Sequence, residues 1–211
     1  IGTMLRECNW EVTVIIENDP NSGPARLVKV LPCHIEESEP LWGVAIDIGT
    51  TTVSLWMVDL LTGKVRAQVA EYNGQITRGE DVISRIIYAS KNGGEKEMRE
   101  LVLDTIDQLL IKACKRLNAR PAEVVKATIT GNSTMMHLLL GIPAASIRLS
   151  PFITAVNHLP PMEASEIGLH IHPEATVDCL PGVASYVGAD ITAGVLSSGL
   201  DESEEMTLFI D

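Results

Sequence analysis

Residues 43–54 have the sequence GVAIDIGTTTVS, which joins an apolar β-strand to a turn rich in hydrogen-bond donors. Asp47 follows three apolar residues, and a carboxylate at the end of a buried strand is costly unless a cation or hydrogen bonds compensate. Gly49 has no Cβ and lets a ligand approach closely. Phosphate oxygens suit the amides and hydroxyls of three residues: Thr50, Thr51 and Thr52. The stretch predicts a hairpin that binds phosphate and Mg²⁺, and an ordinary hairpin in which Asp47 only caps the turn is the alternative.

The segments around this hairpin predict an α/β domain. Three β-rich runs, 41–48, 51–60 and 65–72, are joined by connections too short for a crossover, so they form a three-stranded antiparallel meander. Helices are predicted at 80–91 and 95–117, where apolar residues recur at helical spacing. The other predicted elements are a strand at 124–130, a short helix ending at Leu140, irregular chain over 144–175, a strand at 176–180, a helix at 190–199 and a strand at 206–210.

Residues 1–40 form a separate unit in this interpretation. Strands over 11–17 and 26–31 flank a run of turn-forming residues, and a two-stranded hairpin alone is marginally stable. The acidic stretch at 36–40 is typical of a linker. We therefore expect residues 1–40 to be the tail of a preceding domain, and a second unit to begin at Leu41.

A second acidic position occurs late in the chain. Residues 188–200 read as a helix of small residues opened by Asp190, and the next strand ends at Asp211 as the earlier strand ends at Asp47. This repetition predicts a second phosphate hairpin beginning at Asp211. The helix dipole also favours an acid in the first turn, which is a structural explanation for Asp190. A similar choice between a ligand contact and a helix cap applies to three residues at a strand-to-helix turn: Gly131, Asn132 and Ser133.

The order of these motifs resembles the superfamily of acetate and sugar kinases, heat-shock chaperones and actin. The closer resemblance is to the reductive activators of corrinoid proteins, and the matching words are residues 42–52, 79–86, 130–141 and 180–190. The resemblance implies an α/β, ribonuclease H-like (actin-like ATPase) subdomain, in which a mixed sheet opens with the meander and helices cover both faces. It also implies that 1–40 end a middle domain, and that 41–211 are the first half of the actin-like ATPase domain, truncated at the second phosphate motif.

The resemblance further implies roles for individual residues. ATP and Mg²⁺ are the expected cofactors: Asp47 would hold Mg²⁺ through water and Asp190 would orient the attacking water, which makes both catalytic. The expected ATP-binding residues are Gly49, Thr50, Thr51, Thr52, Gly131, Asn132, Ser133 and Asp211. In the full-length protein, a domain with a 2Fe-2S cluster would pass one low-potential electron to a corrinoid methyl-transfer protein, returning Co(II) to Co(I). A homodimer is left open.

Two other functions remain open at this point. One is a small-molecule kinase of the same superfamily, which would need a sugar or acid pocket. The other is a non-catalytic protein-binding module whose phosphate hairpin is vestigial. Whether these residues alone form an enzyme is also open, because half of a nucleotide cleft should bind ATP weakly.

Charge and hydropathy exclude several classes of partner. The chain has 16 basic and 28 acidic side chains, a formal net charge of -12, so nucleic acid and anionic membrane surfaces are not expected to bind. The longest stretch without charge, 127–147, contains His137 and Pro143 and is not a convincing membrane span. We expect a cytoplasmic protein. The four cysteines lie far apart, without the spacing of a metal or iron–sulfur site.

Several titratable residues are interpreted as structural. His137 is expected to be a hydrogen-bonded core histidine. His170 and His172 are interpreted as loop or surface residues rather than metal ligands. Arg85 and Asp81 lie one helical turn apart and are expected to form an ion pair.

Overall fold

The structure is a computed structural model, and it describes residues 2–18, 24–32, 39–202 and 206–210. The helices are α1 (Gly2–Glu7), α2 (Val82–Ala89), α3 (Gly94–Leu117), α4 (Ser133–Leu140), α5 (Ala145–Arg148), α6 (Ala164–Ile167) and α7 (Ala189–Ser198). The strands are β1 (Val12–Glu17), β2 (Arg26–Pro32), β3 (Trp42–Ile48), β4 (Thr52–Asp59), β5 (Lys64–Tyr72), β6 (Val124–Gly131), β7 (Met162–Glu163) and β8 (Thr176–Cys179).

Six of the strands form one mixed sheet, in the order β5-β4-β3-β6-β8-β7, while β1 and β2 pair separately as an antiparallel hairpin. The first three strands of the sheet are antiparallel, which confirms the predicted meander. β6 and β8 run parallel to β3, and β7 is an antiparallel edge strand. Because β3, β6 and β8 are parallel, the chain leaves all three at the same edge of the sheet. That edge is where ligands bind in open α/β sheets.

α3 packs against one face of this sheet. Its buried residues recur at helical spacing: Met98, Val102, Ile106, Leu109, Leu110 and Ala113. They share a core with alternate residues of β3, namely Val44, Ile46 and Ile48, each at most 4% exposed. Burying one such side chain contributes about 1.5–3 kcal/mol. Asp47 alternates with these residues, so it lies on the opposite face, where it is half-buried.

The predicted strand at 206–210 is wrong. These residues have no regular secondary structure, and Leu208 is 81% exposed. The segment is mostly apolar, but a strand needs a partner edge, and residues 206–210 join neither sheet. The ring of Phe209 instead lies against α7, so close to Gly194 that a Cβ there would come within 2.4 Å of it.

The irregular region at 144–175 contains only short elements, as expected. α5 and α6 have four residues each, and β7 has two. Among the described residues, α3 is the longest helix, and no helix combines the length and apolar character that crossing a bilayer requires.

Candidate nucleotide-binding site

The turn between β3 and β4 is the centre of the candidate site. The amide of Gly49 donates to the carbonyl of Thr52 at 3.0 Å, which closes the turn. A Cβ on Gly49 would lie 2.6 Å from that carbonyl oxygen, so only glycine fits here. Two of the predicted phosphate ligands, Thr51 and Thr52, are exposed, and Thr50 is half-buried. The turn therefore presents its outer side to solvent.

Two residues on the inner side of this turn donate hydrogen bonds to its carbonyls. The sequence did not predict either of them as a site residue. Asn73 donates its side-chain Nδ2 to the carbonyl of Gly49 at 2.9 Å and its backbone amide to that of Thr51 at 2.8 Å. Arg85 donates Nη2 to the carbonyl of Thr50. The expected ion pair of Arg85 with Asp81 is wrong: the Asp81 carboxylate caps α2 by accepting from the amide of Ser84 at 2.8 Å.

The strand-to-helix turn after β6 lies directly beside the β3–β4 turn. Asn132 is the N-cap of α4, since its Oδ1 accepts from the amide of Met135 at 3.0 Å. Its Nδ2 donates to the hydroxyl of Thr50 at 3.0 Å. Gly131 allows this approach, because a Cβ there would lie 2.8 Å from the carbonyl oxygen of Ile48. The helix cap and the contact with the phosphate turn are thus made by one side chain.

The start of α7 packs against the turn after β6. A Cβ on Gly188 would lie 2.6 Å from the Cα of Asn132 and 2.9 Å from the amide nitrogen of Ser133. The hydroxyl of Ser133 donates to the carbonyl of Ala184 at 2.8 Å. These contacts bring the first turn of α7, with Asp190, next to the turn after β6. Asp190 also accepts from the amide of Ile191 at 2.9 Å, as the helix-dipole explanation anticipates.

Nearly all the predicted site residues are thus gathered at one edge of the sheet. The turn after β3 contacts the turn after β6, and the latter contacts the start of α7. Asp47 pairs in register with Thr130 of β6, one residue before the second turn begins. Asp211 lies outside the described residues, so its predicted contact stays a prediction.

The donors present fit a Mg²⁺–ATP complex. Mg²⁺ bound with a nucleotide keeps several waters and takes phosphate oxygens, so it needs only one or two carboxylates. Asp47 supplies one carboxylate, and the hydroxyl of the adjacent Thr130 is buried with no hydrogen-bond partner among the described residues. In the part of the chain that the structure describes, no three or more His, Cys, Asp or Glu side chains lie together in a group that could bind a metal.

Two of the histidines, His137 and His170, have structural partners. His137 is 1% exposed; its Nδ1 lies 2.6 Å from the carbonyl oxygen of Ser133, and its Nε2 accepts from the amide of Ala155 at 3.0 Å. The predicted core histidine is therefore confirmed. His170 contacts Asp107 through Nδ1 at 2.5 Å, at an exposed position.

A cavity of about 630 Å³ lies away from this site, between the β1–β2 hairpin and the start of the main sheet. Its walls include Ile15, Leu31, Trp42 and Leu117. None of the predicted site residues lines it, and its walls lack the donor-rich turn that phosphate recognition needs. The convergence of the three segments, rather than cavity size, therefore identifies the candidate site.

Comparisons with known proteins give the family and the fold of this chain. The family described as the RACo middle region matches residues 42–203. The corrinoid activation enzyme RamQ of Eubacterium limosum is 34% identical over 188 residues, which are 88% of this chain and 31% of that protein. A solved structure titled reductive activator for corrinoid, iron-sulfur protein superposes with a TM-score of 0.88 at 40% identity, over 97% of this chain and 32% of that one. The match confirms the predicted α/β fold of the actin-like ATPase type. The chain spans about a third of the length of these relatives.

Proposed function

The chain belongs to the RACo middle region family, and from this premise we propose that it is part of an ATP-dependent reductive activator of corrinoid proteins. The full-length protein would pass one electron from a 2Fe-2S cluster to a Co(II) corrinoid protein, giving Co(I), while ATP and water give ADP and phosphate. The observation that carries the proposal is the meeting of the β3–β4 turn, the turn after β6 and the start of α7 at one sheet edge.

Each segment has a role in this proposal. The β3–β4 turn would bind the β- and γ-phosphates, with amides of Thr50, Thr51 and Thr52 as donors. Asn132 would hold the Thr50 hydroxyl in place. Asp47 would bind the waters around Mg²⁺, and the metal when bound would offset charge on the phosphates.

Asp190 is proposed to act on water. Its carboxylate lies in the first turn of α7, beside the turn after β6. A carboxylate there can accept a hydrogen bond from a water molecule and orient the water for attack on the γ-phosphorus. Gly131 and Ser133 would shape this side of the cleft.

We also propose the division of the chain at residue 41. The separate pairing of β1 with β2 supports a tail of a preceding domain over 1–40. Residues 41–211 would then be the first half of the ATPase domain, with Asp211 opening its second phosphate motif. A cytoplasmic location is proposed because ATP is supplied there, and the homodimer stays a prediction.

Replacing Asp47 in the full-length protein tests this function. We expect D47A to lower ATP hydrolysis by about a hundredfold or more, because the site loses its carboxylate for Mg²⁺. ATP-dependent formation of Co(I), followed by absorbance with the corrinoid protein, should fall with it. The matched control is D104A, which removes an exposed carboxylate from α3 and should leave both rates unchanged.

Three results would contradict the proposal in different ways. Phosphorylation of a metabolite without any corrinoid would favour the small-molecule kinase. Unchanged ATP affinity in D47A would favour a vestigial hairpin. Full Co(I) formation without ATP would remove the coupling itself.

A further inference from the structure

A buried guanidinium lies directly behind the phosphate turn. The side chain of Arg85 is fully buried, and its acceptors are the carbonyls of Thr50 and Gly79, the latter at 2.9 Å, together with Gln75 Oε1 at 3.2 Å and Met135 Sδ at 3.3 Å. All four acceptors are uncharged. Among the described residues, no carboxylate forms a salt bridge with Arg85. Burial lowers the pKa of Arg85, opposed by the charge of Asp81, but an arginine stays protonated in proteins.

The carbonyls bonded from inside determine where the amides of the turn point. The carbonyls of Gly49, Thr50 and Thr51 accept from Asn73 and Arg85, which are both fully buried. The peptide bonds of this turn are trans, and in a planar trans peptide the C=O and N–H point in opposite directions. Three consecutive N–H groups, those of Thr50, Thr51 and Thr52, are therefore directed away from the buried donors. Such a row of amides is an anion-binding arrangement.

We infer that Arg85 is a positioning residue of the phosphate turn: it holds the Thr50 carbonyl inward and places a buried positive charge behind the outward-facing amides. This inference rests on the proposed function. A buried charge that forms no salt bridge is unfavourable, because it loses hydration and its direct contacts are all with uncharged acceptors. A polyphosphate on the outer side of the turn would supply the missing negative charge.

The segment before Arg85 is shaped to place it there. A Cβ on Gly79 would lie 2.8 Å from the amide nitrogen of Arg85 and 3.0 Å from its Cγ, so glycine is needed for the approach. Asp81 starts α2 through a capping box with Ser84. Gln75 holds the other side of the guanidinium and donates Nε2 to the carbonyl of Met98 at 2.9 Å. Residues 79–85 thus have a function in this fold beyond starting a helix.

Ligands of different charge and substitutions of Arg85 distinguish the effect of its buried charge from a general effect on the fold. A buried charge attracts a ligand in proportion to the ligand's own charge, and salt screens a buried charge weakly. Loss of the Arg85 charge should therefore weaken the binding of ATP most, weaken that of ADP less and leave that of adenosine unchanged. A general loosening of the fold would weaken all three ligands similarly.

The test is calorimetric titration of the full-length protein with ATP, ADP and adenosine. We expect R85Q, which keeps a donor but removes the charge, to weaken ATP binding by about tenfold or more. R85K keeps the charge but cannot reproduce every guanidinium contact, so it should lose clearly less ATP affinity than R85Q does. The matched control is R99Q: Arg99 also donates to backbone carbonyls, those of Leu139 at 3.0 Å and Ile167 at 2.7 Å, but away from the turn. R99Q should leave ATP affinity unchanged.

The outcomes distinguish this inference from the proposed function. Wild-type ATP binding with unchanged binding by R85Q overturns the role of Arg85 alone. Equal weakening of adenosine and ATP, or an equal effect of R99Q, also overturns it, because the effect would then be general. If R85Q does not fold, a tenfold loss of ATP affinity in R85K overturns the charge effect. A wild-type protein that binds no ATP overturns the proposed function, and the inference with it.

Discussion

The side chain of Asn132 makes two contacts that local sequence rules treat as alternatives. Its Oδ1 caps α4, and its Nδ2 donates to the hydroxyl of Thr50. An amide carries both an acceptor and a donor, so one residue can satisfy a helix end and hold a neighbouring turn. Asp190 similarly bonds the amide of Ile191 within its own helix while lying beside the turn after β6. A structural contact at these positions therefore does not argue against a role in the site.

His137 is a buried residue with a fixed tautomer. The carbonyl of Ser133 requires a proton on Nδ1, and the amide of Ala155 requires a lone pair on Nε2. Burial lowers the pKa of His137 below its usual 6.5, although the hydrogen bond to Ser133 acts in the opposite direction. The folded state therefore favours the neutral ring.

We predict that the stability of the protein falls as the pH drops below 6.5. Because the pKa of His137 is lowered on folding, its contribution is complete above 6.5, the unfolded value, and is lost as the pH falls through the folded value. Each pH unit between the two values is worth about 1.4 kcal/mol. Urea unfolding of wild type and H137Q between pH 7.5 and about 5 should show a flatter dependence for the variant. Parallel curves would contradict the prediction.

At the scale of elements, the β1–β2 hairpin is attached to the main sheet by charges. Lys126 of β6 forms ion pairs with Glu17 of β1 and Asp178 of β8. Arg26 of β2 pairs with Glu163 of β7 at 2.9 Å. Burial alone would raise the pKa of Glu17, but hydrogen bonds from Lys126 and Thr176 outweigh it and hold the pKa below its usual value. Lys126 and Thr176 lie in the first halves of β6 and β8, towards the sheet edge opposite the candidate site.

We predict that K126M detaches the hairpin partially and lowers the free energy of unfolding by about 1–2 kcal/mol, because two half-buried carboxylates would face each other without their shared cation. Denaturant unfolding measures the loss. The matched control is K96M, which breaks the exposed pair of Lys96 with Glu100 and should change stability by less than about 0.5 kcal/mol. Equal losses of unfolding free energy in the two variants would show that the ion pairs of Lys126 stabilise the protein no more than an exposed pair does.

At the scale of the whole molecule, the candidate site exists only where three distant segments meet. The turn at 49–52, the turn at 131–133 and the helix start at 188–190 are each separated by more than fifty residues of chain. Parallel pairing of β3 with β6 brings the first two to one edge, and the close packing of Gly188 on the turn after β6 brings the third. The spacing between α7 and that turn therefore determines where Asp190 lies.

We predict that G188A displaces the start of α7 and lowers ATP hydrolysis by the full-length protein at least about tenfold. The new Cβ would meet backbone atoms of Asn132 and Ser133 at 2.6 and 2.9 Å, and backbone cannot yield by a rotamer change. The matched control is G182A, whose Cβ would have no neighbour closer than 3.6 Å. Equal hydrolysis by G188A and wild type would show that the position of Asp190 does not depend on this contact.

Local patterns were sufficient for the meander and for α3. The β-rich runs with short connections over 41–72 and the helical spacing over 95–117 are properties of consecutive residues, and the elements follow from them. The turn chemistry of 49–52 is local for the same reason: a glycine and three threonines present donors wherever the chain is placed. The fold class and most candidate site residues were therefore accessible from the sequence.

Tertiary packing decided where the Arg85 side chain lies and whether residues 206–210 form a strand. Spacing along a helix suggested an ion pair with Asp81, whereas the buried guanidinium donates instead to a carbonyl of a turn some 35 residues earlier. The apolar run suggested a strand at 206–210, but pairing requires a free sheet edge, and Phe209 packs on α7 instead. Hydropathy records which side chains avoid water; the partner that each one finds is decided by the segments that folding brings beside it.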